Sequence, residues 1–244
     1  MANTRFLKNP PIKEAYLSVS FKNTVEVERL KAFCENDFIK ENFPEIRSIM
    51  AMGIRLEAQK KPSSQSSQHG FVLISKDKKT TINIRIGQLS LHNTNEYLGW
   101  EVLFQNFKNI WTAFCKTIGP MDLVQISTRY INELDLNLDK QGFSSYLHFI
   151  PYMPDNLTTT VHNFFMQVTL PSKKDDKIVG VLTETVGASE KQGHMKLILD
   201  TNVFIEENFV CNSDEMWEAF KNIRNFKNEL FFSCVTDKAL QPYE

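Results

Sequence analysis

The chain has 244 residues, of which 42% are hydrophobic and 23% are charged. Both fractions are close to those of globular proteins, so a folded core is expected and extensive disorder is not. The 28 Lys and Arg residues nearly balance the 29 Asp and Glu residues, and the formal net charge is −1. This balance disfavours a protein that binds nucleic acid through its phosphates, although a basic patch on one face would still permit such binding.

The four cysteines do not form a metal-binding pattern. Cys34, Cys115, Cys211 and Cys234 include no C-x-x-C pair and are widely separated in the sequence, so we expect free thiols in a reducing compartment. The N-terminal residues contain no apolar segment of the signal-peptide type, and no run approaches the roughly 18 apolar residues of a membrane span. The expected location is therefore the cytoplasm, without membrane association.

The first half of the chain predicts a strand, a helix and then several strands. Residues 1–11 resemble a loose N-terminal arm, and alternating apolar residues predict a strand over 15–21. Asn23 and Glu26 form a capping-box pattern at the start of the helix that follows. The Ser/Gln-rich residues 60–69 predict a flexible hairpin loop. Alternation predicts strands over three further segments: 50–56, 71–75 and 80–86.

A long helix over 99–118 has the clearest pattern in the chain. Leu103, Phe107 and Phe114 lie on one stripe, which Trp100 widens. Gly119 and Pro120 then provide a strong stop signal. An apolar face this wide indicates a helix packed against a sheet.

The second half repeats this order of elements. A long strand over 123–138, bent near Asn132, is followed by a short helix over 143–149. Asn212 and Glu215 predict a capping box at the start of the last long helix. Three strands are predicted between these helices: 161–170, 178–186 and 194–205. The core stripe of the last helix is predicted to consist of Trp217, Phe220, the aliphatic stem of Arg224, Lys227 or Phe226, Phe231 and Cys234.

We therefore predict an α+β protein in which long helices pack on one face of an antiparallel sheet. After the arm at 1–11, the two halves at 12–120 and 121–244 form one compact unit. Each half has the order β-α-β-β-β-α, which fits a pseudo-duplication like that of the TATA-binding protein, with two sheets joined edge to edge. The halves share no clear sequence identity, so this prediction depends on the order of elements alone.

Four segments together resemble a known family. They are residues 8–15 before the first strand, residues 96–100 at the first long helix, Arg129-Tyr-Ile-Asn132, and Cys234-Val-Thr-Asp-Lys238 after the last helix. In this order they are similar to a sporadically distributed prokaryotic family of proteins of about this length. The resemblance implies a self-contained protein of the kind carried in mobile or defence-related loci. That family has no assigned activity, so the resemblance implies no mechanism.

Common catalytic motifs are missing from the sequence. It contains no phosphate-binding loop, dinucleotide-binding fingerprint, zinc-protease motif, nucleophile elbow or calcium loop. We therefore predict no cofactor, and we favour a non-enzymatic binding or regulatory protein with a protein partner or a small anionic ligand. No histidine has an acidic or histidine partner at metal-ligand spacing, so no metal site is predicted unless the fold assembles one from His69, His92, His148, His162 and His194.

Residues 127–135 contain the strongest candidate site. On a strand, Arg129 and Glu133 share one face, and Tyr130 and Asn132 share the other. In the functional interpretation, Arg129 binds a carboxylate or a phosphate, with Tyr130 and Asn132 orienting the ligand. In the structural interpretation, Arg129 pairs with Glu133 or with a carboxylate on a helix, and Asn132 supports a bulge.

Two further arginines lie in predicted strands. Arg55 and Arg85 would extend an anion-binding surface if they shared an open sheet face with Arg129, or they are ordinary solvated positions. Asp200 and Asn202 are interpreted as a strand-end turn that could add to a polar cluster. An enzyme is the alternative to the binding protein, and it would require Arg129 to meet a carboxylate and a histidine. An exposed apolar sheet face would instead favour a homodimer.

Overall fold

The computed structural model describes residues 5–55, 63–94, 96–137, 142–152, 154, 156 and 163–244. Within these residues, nine strands pair into one antiparallel sheet. The longer helices pack on one of its faces, where their buried side chains meet those of the strands. The predicted α+β class with an antiparallel sheet is confirmed.

The described elements include nine strands and five α-helices. The strands are β1 (Ile12–Phe21), β2 (Glu45–Arg55), β3 (Ser63–Ile74), β4 (Thr80–Arg85), β5 (Gln88–Thr94), β6 (Leu123–Asn137), β7 (Phe164–Pro171), β8 (Ile178–Ala188) and β9 (His194–Ile205). The helices are α1 (Val27–Cys34), α2 (Asp37–Asn42), α3 (Trp100–Ile118), α4 (Asp214–Cys234) and α5 (Asp237–Leu240).

Strands β1 and β6 form the centre of the sheet, whose order is β2-β3-β4-β5-β1-β6-β9-β8-β7. Leu17 of β1 pairs with Leu91 of β5 and with Thr128 of β6, and all three side chains are fully buried beneath the helices. Because side chains alternate along a strand, Tyr16 and Ser18 point to the opposite side. We call that side the open face, since the described helices pack on the other.

Aromatic side chains fill the space between α3 and the sheet. Trp111 and Phe114 are fully buried, and the ring of Phe114 stacks on that of Phe21 in β1 with 5.4 Å between centroids. Phe33 of α1 meets Phe114 edge-on at 5.1 Å. Aromatic rings bury large areas and pack best in offset or edge-on pairs, which accounts for the many phenylalanines of the chain.

The N-terminal arm is packed rather than loose. The Leu7 side chain is buried, the Asn9 N–H donates to the carbonyl oxygen of Tyr243 at 3.1 Å, and Arg5 forms ion pairs with Asp237 and Glu244. The prediction of a loose arm is therefore wrong for residues 5–11. Contacts between the two ends of the chain were not visible in local sequence patterns.

The prediction of a loop over 60–69 is also wrong over residues 63–69, which form the first part of β3 and pair with β2. Backbone hydrogen bonds stabilise this hairpin even though its Ser and Gln side chains show no periodicity. The register shifts between Ile49 and Met50, and the regular pairing of β3 with β4 begins at Gly70. A Cβ at Gly70 would lie 2.0 Å from the carbonyl oxygen of Ile84, so the close approach of β4 requires glycine there.

Three predicted helix boundaries differ from the structure. Helix α1 begins at Val27 without a side-chain cap, so Asn23 and Glu26 do not form the predicted box. Helix α4 is capped by Ser213, because Asn212 adopts a left-handed conformation with φ 62° in the preceding turn. The helix predicted over 143–149 is reduced to one 3₁₀ turn at Phe143–Ser145.

The described cysteines are free thiols, and two of them lie close together. The sulfur atoms of Cys115 at the end of α3 and Cys211 before α4 are 3.0 Å apart. Their wide separation in the sequence hid this contact. Within the described residues no group of three or more His, Cys, Asp or Glu side chains is arranged to hold a metal, while His162 lies outside those residues. Among the described helices, none is both long and apolar enough to span a membrane.

Glu184 of β8 is an ionisable group inside the core. Its side chain is fully buried beneath α4, and neither carboxyl oxygen has a hydrogen-bond partner at normal distance within the described residues. The Cys234 thiol is a polar neighbour. Burial raises the pKa of Glu184 to about 7, because the apolar surroundings disfavour the charged form.

We expect Glu184 to make the protein less stable as the pH rises from about 4.5 to about 7. In this range the unfolded chain loses a proton that the folded protein keeps, so the free energy of unfolding falls, by at most ~3 kcal/mol for the full shift. Urea unfolding of wild type and Glu184→Gln at pH 5 and pH 8 measures this effect. The free energy of unfolding of Glu184→Gln, relative to that of wild type, should be higher at pH 8 than at pH 5. If the difference between the two proteins is the same at both pH values, the raised pKa of Glu184 is contradicted.

Candidate functional site

The candidate residues of β6 are divided between the two faces of the sheet. Arg129 and Glu133 lie on the open face, whereas Tyr130 and Asn132 are buried on the helix-covered face, with exposed fractions of 1% and 4%. Asn132 pairs with Ile12 where the register with β1 shifts, and its amide donates to the carbonyl oxygen of Leu199 at 3.3 Å. These four residues therefore do not form a single site around Arg129.

Lys227 of α4 lies directly over Tyr130. Its side chain is buried, with 8% of the residue exposed, and its Nζ atom is 3.7 Å from the centroid of the Tyr130 ring. None of the ion pairs found among the described residues involves Lys227, and its ammonium lies against the aromatic ring. Burying an unpaired charge is costly, so this lysine differs from an ordinary core residue.

The lysine lines a cavity of about 310 Å³ between α4, the start of α3, β6 and the N-terminal arm, which we call the Lys227 pocket. This volume is at the small end of the range for ligand pockets. The arm forms one wall because it is tied to the C-terminal turn. The apolar lining includes Phe6, Leu98, Trp100, Phe231 and Phe232, and the polar lining includes Arg5, Asn132, Arg224, Lys227 and Asn228.

The electrostatic character of the Lys227 pocket is positive. The guanidinium of Arg224 lies over the Trp100 ring at 5.1 Å and approaches Glu101 only to 3.9 Å. Among the described lining residues there is no Asp or Glu. Helix α3 begins at this wall after Gly99, which provides no side-chain cap, so its first N–H groups add partial positive charge. The pocket is therefore suited to an anion.

Ionisable groups in the Lys227 pocket are shifted by burial. Burial, with a smaller contribution from the charge of Arg224, lowers the pKa of Lys227 to about 7. Burial also raises the pKa of Tyr130 well above its usual value, and that of Tyr97 as well. The two tyrosine hydroxyls are 3.0 Å apart and share a hydrogen bond. The pocket can therefore present either an ammonium or a free amine near neutral pH.

On the open face, Arg129 forms an ion pair with Asp200 of β9. Its Nε donates to Oδ1 of Asp200 at 2.7 Å, and its Nη2 donates to Oδ2. The expected partners, Glu133 or a helix carboxylate, are wrong, because Asp200 lies diagonally opposite on the neighbouring strand; Glu133 approaches Lys196 at 3.3 Å instead. The bidentate bond with Asp200 raises the pKa of Arg129.

Asp200 and Asn202 lie within β9, so the interpretation of this segment as a strand-end turn is wrong. Arg85 is exposed on the open face of β4, with β5 and β1 between it and β6. Arg85 is level with Gln125, four residues before Arg129, so three strand spacings of about 4.8 Å and four residues of about 3.4 Å place the two arginine backbones roughly 20 Å apart. Arg55 is the last residue of β2, one of the two edge strands. The structure therefore does not bring the three arginines together.

A second polar group on the open face surrounds His92 of β5. Its Nε2 is 2.9 Å from the Ser90 hydroxyl, and its Nδ1 is 2.8 Å from a carboxylate oxygen of Glu14. The ring packs against that of Tyr16 at an angle of 34°, with 4.7 Å between centroids, and the centroid of the Tyr16 ring is 5.9 Å from the guanidinium carbon of Arg129. We call Ser90, His92 and Glu14 the His92 cluster. Sequence spacing missed it because Glu14 is on another strand.

Sequence reasoning placed Lys227 in an apolar stripe but did not identify it as a site residue. The available signal was the presence of Arg224 and Lys227 among the aromatic positions of the last helix. Long basic side chains on such a stripe usually extend their charged ends to water. The N-terminal arm and the start of α3 cover the end of the Lys227 side chain, so that it does not extend freely into water. The sequence of α4 alone does not reveal that these two segments lie beside it.

Comparison with the models of known protein families finds no match to the chain. Comparison with curated proteins finds no significant similarity. The features that bear on function are therefore the geometry of the Lys227 pocket and that of the open face.

We expect the free energy of unfolding of wild type to rise with pH between about 7 and 10.5 relative to Lys227→Met. In this range the unfolded chain keeps a proton that the folded protein has released, which favours folding by about 1.4 kcal/mol per pH unit. Urea unfolding should show that, from pH 7 to pH 9, the free energy of unfolding of wild type rises by about 2 to 3 kcal/mol relative to that of the variant. An unchanged difference would mean that Lys227 titrates normally.

Proposed function

We propose that the protein is a binding protein that holds a small organic anion with an apolar body in the Lys227 pocket. The observation that carries this proposal is the buried ammonium of Lys227, which lies against a tyrosine ring without a carboxylate partner among the described residues. Arg224 and the first turn of α3 add positive charge at the same cavity. The aromatic walls favour a ligand whose body is apolar.

A bound anion would supply the charge that Lys227 lacks. Two unit charges 4 Å apart attract by about 4 kcal/mol at the effective dielectric constant of a protein site, which would offset much of the cost of burying the ammonium. A bound anion would also keep Lys227 protonated, so binding would take up a proton at neutral pH. Anion binding in this pocket should therefore strengthen as the pH falls from 8 to 6.

We expect 3-phenyllactate, a carboxylate with an aromatic body, to bind wild type and to bind at least tenfold more weakly to Lys227→Met and to Arg224→Met. The loss reflects one charge-assisted contact in each variant, worth about 1.5 to 3 kcal/mol. Isothermal titration calorimetry at pH 6 and pH 8 measures the affinity.

Lys221→Met is the matched control, because Lys221 lies on an exposed part of the same helix and pairs with Glu218. It should bind as wild type does. Equal affinities for wild type and all three variants, or the absence of binding by folded wild type, would count against the Lys227 pocket as an anion site.

We infer further that the sheet derives from a pseudo-duplication of the kind found in the TATA-binding protein. Two features support this inference. In the sheet, β5 lies next to β1, and β9 lies next to β6. Each of these neighbours is the last strand before the long helix of its half. Each half also begins with a central strand and ends with a long helix, α3 or α4. The described second half has one strand fewer.

A second candidate function is supported by the His92 cluster. In serine hydrolases, a serine hydroxyl is hydrogen-bonded to an imidazole, which is hydrogen-bonded to a carboxylate. This arrangement activates the serine for acyl transfer. Ser18 faces Ser90 across the β1–β5 pair, so its hydroxyl is placed to donate to an oxyanion near Ser90. Ser90 is recessed, with 5% exposed, which restricts access to small substrates. This enzyme would differ from the one predicted around Arg129, because the Tyr16 ring lies between His92 and Arg129.

If the His92 cluster is catalytic, a small fluorophosphonate should label Ser90 in wild type at neutral pH. Ser90→Ala should abolish labelling, and His92→Gln should slow it at least a hundredfold, because the general base is lost. Ser127→Ala, which removes a neighbouring serine on β6, is the control and should be labelled at the wild-type rate. Mass spectrometry detects the adduct. An unlabelled wild type would eliminate this candidate and leave the binding function intact.

Nucleic-acid binding on the open face is less well supported. Its charged side chains include both signs, with Arg129 and Lys196 paired to Asp200 and Glu133. Paired arginines and lysines contribute little to phosphate binding, which depends on unpaired positive charge. The balanced charge of the whole chain leads to the same conclusion.

A further inference from the structure

We propose that Lys227 forms an imine with the keto group of a 2-oxo acid whose carboxylate is bound by Arg224 and the first turn of α3. This inference rests on the proposed function, because it assigns a substrate class to the same pocket. It adds a covalent step, which anion binding alone does not require.

The position of Lys227 is that of a nucleophilic lysine rather than a structural one. A structural buried lysine is paired with a carboxylate, but within the described residues no carboxylate is found to pair with Lys227, which contacts the face of Tyr130. It is buried beside a cavity with aromatic walls and lies three residues from Arg224 on α4. Desolvation and a neighbouring cation are the two means by which proteins generate a free lysine amine at neutral pH. The lowered pKa of Lys227 agrees with this geometry.

The spacing of the polar groups favours a carbonyl next to a carboxylate. Residues three apart on a helix have Cβ atoms roughly 5 to 6 Å apart and lie on the same face, so Arg224 and Lys227 can reach adjacent carbon atoms of one ligand. The guanidinium can hold a carboxylate by two parallel hydrogen bonds. The N–H groups at the start of α3, which begins at Trp100, can bind the same carboxylate.

The side chains that line the pocket determine which group the 2-oxo acid can carry next to its keto group. Trp100, Phe231 and Phe232 line the cavity and would contact an aromatic or branched apolar side chain of the ligand. A cavity of about 310 Å³ can take a ligand of this size. The substrate class is therefore a small 2-oxo acid with an apolar side chain.

The covalent step needs only the ligand and the protein. The lone pair of the neutral Nζ atom attacks the keto carbon, and the electron pair of the C=O bond moves to oxygen, which takes a proton. The resulting carbinolamine loses its hydroxyl group, with a second proton, as water, and the C=N bond forms. Tyr97 lines the pocket and shares a hydrogen bond with Tyr130, so its hydroxyl is placed to give a proton to the departing oxygen.

The test is reductive trapping with phenylpyruvate and sodium cyanoborohydride at pH 7. Cyanoborohydride reduces the imine to a stable secondary amine, which intact-mass and peptide mass spectrometry locate. Wild type and Lys221→Met should carry one phenylpyruvate adduct at Lys227, and Lys227→Met should carry none. Lys227→Arg keeps the positive charge but has no reactive amine, so it should bind phenylpyruvate without forming the adduct. Circular dichroism establishes that each variant is folded.

Phenyllactate separates this inference from the proposed function, because it has a hydroxyl group where phenylpyruvate has the keto group. If phenyllactate and phenylpyruvate both bind but no adduct forms at Lys227, the imine is overturned and anion binding stands. If neither ligand binds and no adduct forms, both proposals fail. An adduct at exposed lysines that persists in Lys227→Met would also overturn the inference.

Discussion

The pairing of β1 with β6 joins the two halves of the chain into one sheet, and the other features of the molecule depend on this pairing. It brings Leu17 against Thr128 and closes the sheet across its centre, so that α3 and α4 pack on the same side. Because neighbouring residues of a strand face opposite sides, β6 contributes to both surfaces of the sheet. Arg129 belongs to the open face and Tyr130 to the floor of the Lys227 pocket, although they are adjacent in sequence.

Charged side chains are in different surroundings on the two faces of the sheet. On the open face, charged groups are partly exposed and paired, as in Arg129 with Asp200, and such pairs need no ligand. On the covered face, Lys227 and Glu184 are buried without a charge partner among the described residues. Each has a pKa shifted towards its neutral form, which is how a protein tolerates an ionisable group in its interior. Lys227 also borders a cavity, and this combination is typical of a functional site.

The sequence predicted those parts of the fold that depend on local periodicity. The stripe of α3, with Phe107 and Phe114, and the alternation of β6 and β9 are repeated patterns that one buried face imposes. The errors occurred where distant segments determine the structure. The arm is bound to Tyr243 near the other end of the chain, and the first part of β3 is stabilised by its backbone pairing with β2. The register between β6 and β9 determines that Arg129 pairs with Asp200. The candidate site shows the same division, because β6 alternation correctly separated Arg129 from Tyr130, whereas the contact of Tyr130 with Lys227 joins segments far apart in sequence.

The placement of Lys227 also explains why a binding pocket exists at this position of the fold. Helix α4 crosses β6, β9 and β8, and near its middle it presents a long flexible side chain where the neighbouring turns present Ile223 and Leu230. A leucine or phenylalanine at 227 would fill the space over Tyr130 and remove the cost of desolvating an amine. Retaining a lysine there lowers stability at neutral pH, so the residue is better explained by what it can bind than by what it contributes to folding. Residues that reduce stability without a structural benefit are expected at functional sites, and the cavity beside Lys227 provides space for a ligand.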